Sequence, residues 1–162
     1  MELRNYAHCV VGANLHLQFT PAYRRDMPLE GMALSIFCDS GVKSLCKRVF
    51  GAVSGDLGVE LIACEFGPDH AHLFLSGWKN YSIPYLVRLL KGRSSRTLRK
   101  NMWEQIRPKL WGDRFWSEGY FAETVGRITA ETAKQYIERQ QGKHWMKPNL
   151  KEHHSQVRIT QF

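Results

Sequence analysis

The sequence predicts one α+β domain, in which helices cover one face of an antiparallel sheet in a ferredoxin-like or RRM-like split βαβ arrangement. Three observations support this fold class. The 162 residues, 43% of them hydrophobic, are enough for one core but not comfortably for two. Stretches with strand and helix patterns follow one another in the order β, α, β, β, α, β, α. Neither a Gly-x-Gly-x-x-Gly nor a Walker sequence is present, which excludes a Rossmann-type nucleotide fold.

The first two elements are a strand and a helical region. Residues 7–19 begin with side chains that favour strands and then alternate between apolar and polar side chains, which predicts a strand. Thr20-Pro21 ends this strand. From residue 29 to residue 53 apolar side chains recur at helical intervals. Asp39-Ser40-Gly41 interrupts that pattern as a cap, so either one long helix or two short helices fit.

A hairpin and a second helix follow. Two short apolar runs, residues 59–66 and 71–76, are separated by Gly67-Pro68-Asp69. This pattern predicts two antiparallel strands joined by a turn. Ser82 is the expected cap of the next helix, which extends to about residue 102.

The remaining chain predicts a loop, a strand and a last helix. Residues 103–116 have a loop-like composition, residues 118–125 read as a strand, and Thr129 caps a helix at about residues 129–142. These elements complete a single domain at residues 1–146. Residues 147–162 form a tail that we expect to be flexible.

Positive charge is concentrated on one predicted helix. Lys and Arg number 23 against 15 Asp and Glu, which gives a formal net charge of +8. Residues 88–100 hold six positive charges and no negative ones, and Arg24 and Arg25 could extend the same basic surface. A surface this one-sided predicts a polyanionic partner and is typical of contacts to a phosphate backbone.

Other classes of protein are not expected. No apolar stretch approaches the roughly 20 residues of a membrane helix, so no membrane partner is expected. The first residues lack the pattern of a signal peptide, which predicts a cytoplasmic location. The four cysteines form no Cys-x-x-Cys pair, so they read as small core residues rather than as a zinc or redox motif.

Two short patterns could support chemistry. His70 and His72 are two residues apart, so on a strand both imidazoles project from one face and could bind one metal ion. The alternative is a pair of half-buried histidines with hydrogen-bond partners. Tyr136 and Gln140 are one helical turn apart, which puts a phenol and an amide oxygen on one face. A tyrosine is a covalent nucleophile in phosphodiester transfer; the alternative is that Tyr136 is an ordinary amphipathic core contact with its hydroxyl at the rim.

Five blocks of sequence together resemble one family. They resemble, in order and spacing over about residues 7–145, the single-tyrosine HUH transposases of the IS200 type, within the Rep and relaxase-like HUH endonucleases. HUH denotes two histidines flanking an apolar residue. The blocks are Gly67-Pro-Asp-His-Ala-His-Leu-Phe-Leu75, Leu90-Lys-Gly-Arg-Ser-Ser-Arg96, Leu110-Trp-Gly112, Trp116-Ser-Glu-Gly-Tyr-Phe121 and Lys134-Gln-Tyr-Ile-Glu-Arg-Gln140.

The resemblance implies an HUH fold with a C-terminal catalytic helix and a metal-dependent strand transferase. By position, His70, His72 and Gln140 would bind Mg²⁺ or Mn²⁺, and Tyr136 would attack single-stranded DNA to give a 5′-phosphotyrosine. A free phenol has a pKa of about 10, so we expect cationic charge near Tyr136. Asp69 is either a carboxylate that orients a ligating histidine or an ordinary turn residue.

The resemblance also implies partners. Similar proteins bind imperfect DNA hairpins near the ends of the element and form homodimers with shared active sites. Lys91, Arg93, Arg96, Arg24 and Arg25 are the candidate DNA contacts. When bound to DNA the protein would be associated with the nucleoid.

Three alternatives stay open. One is a domesticated relative that nicks repetitive hairpins, and another is a noncatalytic binder of single-stranded nucleic acid. A two-metal hydrolase is less favoured, because such a centre needs clustered carboxylates, and near the histidine pair the sequence offers only Glu65 and Asp69.

Overall fold

The fold was obtained as a computed structural model, which describes residues 4–6, 9–22, 36–67, 69–110, 112, 114–126, 129, 131–133 and 135–136. Six strands and three helices lie in these ranges: β1 (Arg4–Tyr6), β2 (Cys9–Val11), β3 (Asn14–Phe19), α1 (Ser40–Asp56), β4 (Glu60–Phe66), β5 (Ala71–Ser76), α2 (Ile83–Asn101), α3 (Trp103–Ile106) and β6 (Phe121–Val125). Short 3₁₀ turns occupy Ile36–Cys38 and Arg107–Lys109, and residues 131–133 and 135–136 are helical. The predicted tail, residues 147–162, lies outside the described residues.

The main sheet has four antiparallel strands in the order β4-β5-β3-β6. The predicted α+β class and the hairpin of β4 and β5 are confirmed. The prediction of one strand over residues 7–19 is wrong, because β2 pairs with β1 in a separate two-stranded sheet and the pairing breaks at Gly12. A glycine gives a strand no side chain to pack, so the chain can leave one sheet and enter the next there.

Helices α1 and α2 cover one face of the sheet, as predicted. The alternate residues Leu15, Leu17 and Phe19 of β3 point into this core and are fully buried. Asp39 confirms its predicted role as a cap, since its Oδ1 accepts hydrogen bonds from the amides of Gly41 at 2.7 Å and Val42 at 3.2 Å. Of the two arrangements left open for residues 29–53, a 3₁₀ turn followed by one helix is observed for the residues that are described.

The connection between α2 and β6 is more ordered than a loop. The predicted loop over residues 103–116 contains α3 and a 3₁₀ turn. The predicted strand begins at Phe121 rather than at residue 118, because the backbone carbonyls of residues 117–119 turn toward the side chain of Lys91. That tertiary contact overrides the local strand preference.

The chain returns to the opposite face of the sheet after β6. The amide of Thr132 donates to Oγ1 of Thr129 at 3.2 Å, which confirms Thr129 as a helix cap. Ala133 and Tyr136 then pack against Phe74 of β5. This C-terminal helical segment is therefore separated by the sheet from α1 and α2. None of the helices in the described ranges has the length and apolar content that a membrane span requires.

Candidate active site

The face of the sheet opposite α1 and α2 holds the polar side chains that could carry chemistry. In the register of the sheet, His16 of β3 lies across from Phe74 on one side and Glu123 on the other, and Gln18 lies across from His72. Alternation along each strand therefore puts His16, His72 and Glu123 on the same face. The sheet thus gathers residues that are more than 100 positions apart in sequence.

His70 and His72 come together as predicted, although His70 lies one residue before β5 rather than within it. Their ring centroids are 4.6 Å apart and the rings are perpendicular, at 87°. His72 is buried and His70 is half-buried. The two imidazoles thus form a compact pair of nitrogen donors at the edge of the buried face.

Gly67 makes the position of His70 possible. A Cβ atom built on Gly67 would lie 2.5 Å from Cε1 and Nε2 of the His70 ring, a distance at which the ring would have to move. The amide of Gly67 also donates to the carbonyl of His70 at 2.9 Å, which closes the turn. Sequence reasoning placed Gly67 only in a turn, because a close approach between a glycine and a ring is not visible in a hairpin pattern.

The histidine pair fits a divalent metal ion. Nδ1 of His70 is 2.6 Å from Oδ1 of Asp69, so the carboxylate holds the ring by one nitrogen and leaves Nε2 for a ligand. This contact supports the orienting role for Asp69. Gln140, the third predicted ligand, lies outside the described residues. The described part of the chain holds no group of three or more His, Cys, Asp or Glu side chains able to bind a metal, so the pair needs a ligand of another type or from elsewhere.

His16 is a site residue that sequence reasoning missed. It is fully buried, its Nε2 is 2.9 Å from Nδ1 of His72, and its ring stacks on Phe74 with centroids 4.5 Å apart. Burial lowers the pKa of His16 below its ordinary value of 6.5, and the Glu123 carboxylate opposes that change. The available signal was its alternation with Leu15 and Leu17, which turns His16 away from the apolar core.

Tyr136 reaches the same group of residues from the C-terminal helical segment. Its ring meets His16 edge-on, with centroids 5.8 Å apart, and Phe74 edge-on at 6.1 Å. The hydroxyl donates to Oε2 of Glu123 at 3.3 Å. We expected a cationic neighbour for this phenol, whereas the observed acceptor is an anion. The ring of Tyr136 thus packs against the sheet, while its hydroxyl donates a hydrogen bond to a carboxylate.

The basic residues of α2 divide into three kinds. The ammonium of Lys91 turns inward, donating to the carbonyls of Ser117 at 3.0 Å and Gly119 at 2.5 Å, and burial lowers its pKa. Arg93 pairs with Asp56 at the surface. Arg96 is exposed and lines a groove of about 590 Å³ together with Gly92, Ser95, Arg99, Lys100 and Trp103. Of the described candidate DNA contacts, Arg96 is therefore the exposed cation on this groove, and Arg24 and Arg25 lie outside the described residues.

The structure combines an antiparallel sheet with a histidine pair and a tyrosine on one face, and comparison with known families identifies the class of protein. The chain belongs to the family described as Transposase IS200 like, whose model matches residues 9–140. The resemblance drawn from the sequence is therefore confirmed at the level of the family. The protein is a transposase of this family.

Individual relatives agree with the family. The chain is 36% identical over 143 residues to the ISDra2 transposase TnpA of Deinococcus radiodurans, covering 88% of this chain and 94% of the relative. It is 27% identical over 137 residues to the transposase for insertion sequence element IS200 of Salmonella typhimurium, covering 85% of this chain and 82% of the relative. Both alignments span more than four-fifths of each protein.

Solved structures agree with the fold. A crystal structure of a putative transposase from Deinococcus radiodurans superposes with a TM-score of 0.62 and 27% identity, covering 85% of this chain and 98% of that one. A REP-associated tyrosine transposase bound to a REP hairpin superposes with a TM-score of 0.50 and 15% identity, covering 89% and 74%. The second similarity is one of fold alone.

Proposed function

We propose that this transposase cleaves and rejoins single-stranded DNA at the ends of an insertion sequence, with Tyr136 as the nucleophile. The observation that carries the proposal is the placement of the Tyr136 phenol and the buried His72 on the same face of the sheet, opposite the main helices. Both side chains contact the same residue, His16. A family match over residues 9–140 supplies the reaction class.

His70, His72 and Gln140 are the proposed ligands of a divalent cation, Mg²⁺ or Mn²⁺. Bound there, the cation would polarise the scissile phosphate and stabilise the charge that develops on its oxygens. Oxygen atoms from the DNA suit both of these cations. The protein's own contribution is to hold two imidazoles in one orientation, with Asp69 fixing His70 through Nδ1.

Covalent attack requires Tyr136 to lose its proton. In the proposed step the phenolic oxygen attacks phosphorus and the bond from phosphorus to the 3′ oxygen breaks. The 3′ oxygen leaves as a hydroxyl by taking a proton from a water molecule, which regains a proton from Glu123. The phenolic proton passes to Glu123, whose Oε2 already accepts a hydrogen bond from Tyr136. The 5′-phosphotyrosine conserves the energy of the phosphodiester bond, so rejoining by a 3′ hydroxyl needs no nucleotide cofactor.

The proposed partner is single-stranded DNA that folds into hairpins. The REP-associated tyrosine transposase of similar fold was solved bound to a REP hairpin, and the exposed basic side of α2 around Arg96 offers charge for a phosphate backbone here. A homodimer with shared active sites is part of the proposal, since two DNA ends must be held at once. The proposed location is the cytoplasm, with the protein on the nucleoid when it is bound to DNA.

The test is the formation of a covalent protein–DNA adduct. Full-length protein is incubated with labelled single-stranded DNA carrying the flanking ends of its element, with Mn²⁺, with Mg²⁺ or with a chelator. We expect an adduct in either metal, none in chelator and none from Tyr136→Phe. Tyr85→Phe is the matched control, because Tyr85 is an exposed phenol on α2, across the sheet.

Two results would contradict the proposal. One is an adduct that persists in Tyr136→Phe, and the other is wild-type protein that binds the DNA without forming an adduct in either metal. The second result, with binding unaffected by chelator, would favour a noncatalytic nucleic-acid binder. Hairpins in the DNA that flanks the gene distinguish a mobile element from a domesticated nicking enzyme.

A further inference from the structure

A buried hydrogen bond connects the proposed metal site to the centre of the sheet. Nε2 of His16 and Nδ1 of His72 are 2.9 Å apart, and both side chains are almost completely buried, at 0% and 2% exposure. One of these nitrogens must carry the shared proton. Because a neutral imidazole has one protonated and one unprotonated nitrogen, the choice at this bond also decides which form Nε2 of His72 adopts.

The surroundings of His16 decide the direction of that bond. Nδ1 of His16 has no hydrogen-bond partner within the described residues, and it faces Oε2 of Glu123 at 4.0 Å. A carboxylate attracts an N–H group and repels a lone pair, so the proton of His16 belongs on Nδ1. Its Nε2 is then an acceptor, and Nδ1 of His72 is the donor. Nε2 of His72 is left with a lone pair.

We propose that His16 is a positioning residue that holds His72 as the Nδ1–H tautomer and so presents its Nε2 to the metal. The inference rests on the proposed function of His72 as a ligand. It gives the two histidines matching supports, because Nδ1 of His70 is engaged by Asp69 and Nδ1 of His72 is engaged by His16. Metal-binding histidines commonly need such a partner on the other nitrogen.

His16 is well suited to this role because its own ring is fixed. It stacks on Phe74 at an interplanar angle of 3°, and the edges of Phe121 and Tyr136 meet it at centroid distances of 5.6 Å and 5.8 Å. These aromatic contacts leave the imidazole little freedom to turn. The same contacts place His16 between the proposed ligand His72 and the proposed nucleophile Tyr136.

The first measurement reads the tautomer of His72 without metal or DNA. Long-range ¹H–¹⁵N NMR of the full-length wild-type chain at neutral pH distinguishes Nδ1–H from Nε2–H, and His72→Asn assigns the signals by their loss. We expect Nδ1–H in the wild type. Finding the proton on Nε2 of His72 would overturn the inference and needs no variant of His16.

The second measurement compares variants of His16 by the same NMR signals and by their affinity for Mn²⁺, which is measured by electron paramagnetic resonance. His16→Phe keeps an aromatic ring on Phe74 but removes both nitrogens, and His16→Gln keeps a side-chain oxygen that can accept from His72. We expect Mn²⁺ to bind about 10- to 100-fold more weakly to His16→Phe, with loss of the Nδ1–H preference, and His16→Gln to recover most of the affinity.

Asn14→Ala is the matched control. Asn14 is buried two residues away on the same face of β3, but its amide donates to the carbonyl of Gly126 at 3.0 Å. It should lower stability and leave the tautomer of His72 and the Mn²⁺ affinity unchanged. An Asn14→Ala effect equal to that of His16→Phe would contradict the inference, since general loosening of the strand would then explain both.

Failure of the inference and failure of the proposed function give different results. If His16→Phe binds Mn²⁺ as tightly as the wild type while the wild type forms the Tyr136 adduct, only the inference is wrong. If Mn²⁺ binding depends on His16 but no adduct forms with DNA, the proposed reaction is wrong and the positioning role stands. Absence of Mn²⁺ binding by the wild type would overturn both.

Discussion

Replacing Lys91 by methionine tests whether this lysine stabilises the fold or binds DNA. Lys91 belongs to the basic run of α2, yet its ammonium donates to the carbonyls of Ser117 and Gly119 and lies 5.2 Å from the centroid of the Phe19 ring. Methionine keeps an unbranched apolar stem of similar length and removes the charge and the donors. We therefore expect Lys91→Met to destabilise the fold rather than mainly to weaken DNA binding.

The contacts give the size of the expected change. A hydrogen bond to a charged group contributes about 1.5–3 kcal/mol to stability. Of the residues whose carbonyls Lys91 binds, Ser117 is partly buried and Gly119 is exposed, so water can replace the ammonium in the variant. We therefore expect Lys91→Met to lower the free energy of unfolding by about 1.5 kcal/mol, the lower end of the range, for all the hydrogen bonds of Lys91 together. For a domain of this size the midpoint of thermal unfolding falls by about 3–6 °C.

The assay pairs unfolding with DNA binding. Urea and thermal unfolding are followed by tryptophan fluorescence and circular dichroism, and affinity for a hairpin-bearing single strand is measured by fluorescence anisotropy over a range of salt concentrations. Arg96→Met is the comparison, because Arg96 is an exposed cation on the same helix. Arg96→Met should change the free energy of unfolding by less than about 0.5 kcal/mol. It should also reduce the slope of log affinity against log salt concentration by about 1, which corresponds to one released counterion.

The opposite pattern would refute this reasoning. If Lys91→Met unfolds at the same urea concentration as the wild type and loses DNA affinity with a shallower salt dependence, Lys91 is a DNA contact. If Arg96→Met unfolds more easily than Lys91→Met, the exposed groove is a structural element instead.

Two further predictions concern the interior. Ser94→Ala removes the hydroxyl oxygen that accepts a hydrogen bond from Nε1 of Trp116 at 2.9 Å, leaving a buried donor without that partner. We expect the free energy of unfolding in urea to fall by about 1–3 kcal/mol, against less than about 0.5 kcal/mol for Ser95→Ala. Equal losses in the two variants would refute the role of the buried bond. Burial raises the pKa of Cys64 from 9.0 to about 12, so iodoacetamide at pH 8 should modify the exposed Cys38 long before Cys64, as read by peptide mass spectrometry. Equal labelling of the two thiols in the native protein would contradict the burial of Cys64. Because the thiol of Cys64 ionises near 9.0 in the unfolded chain and near 12 in the folded protein, it makes the free energy of unfolding fall as the pH rises through that interval.

Elements with strong local signals were predictable. Asp39 begins α1 because a carboxylate can accept from the first amides of a helix, and the turn after Phe66 joins β4 to β5 as expected. The hairpin of β1 and β2 and the short helix α3 were not predicted. Their formation depends on partners that periodicity does not reveal, since β1 has three residues and α3 has four.

The site divides in the same way. The spacing of His70 and His72 predicted that both imidazoles project from one face, and their rings do come together, although His70 lies one residue before β5. The contact of His16 with His72, and those of Glu123 with His16 and Tyr136, required the register of three strands, which joins residues from distant parts of the chain. Alternation along β3 turns His16 away from the apolar core, but spacing within one segment does not reveal the partners of His16 or Glu123.

By itself the sequence determined the family, the order of the main elements and the chemical types at the site, since these depend on residue identity and short-range periodicity. Only the tertiary structure decided what each side chain faces. It turned Lys91 inward and left Arg96 exposed, although both carry one positive charge on the same helix. It also set a carboxylate beside Tyr136 where we expected a cation. Charge and periodicity are properties of single segments, whereas direction and partner are set when separate segments pack together.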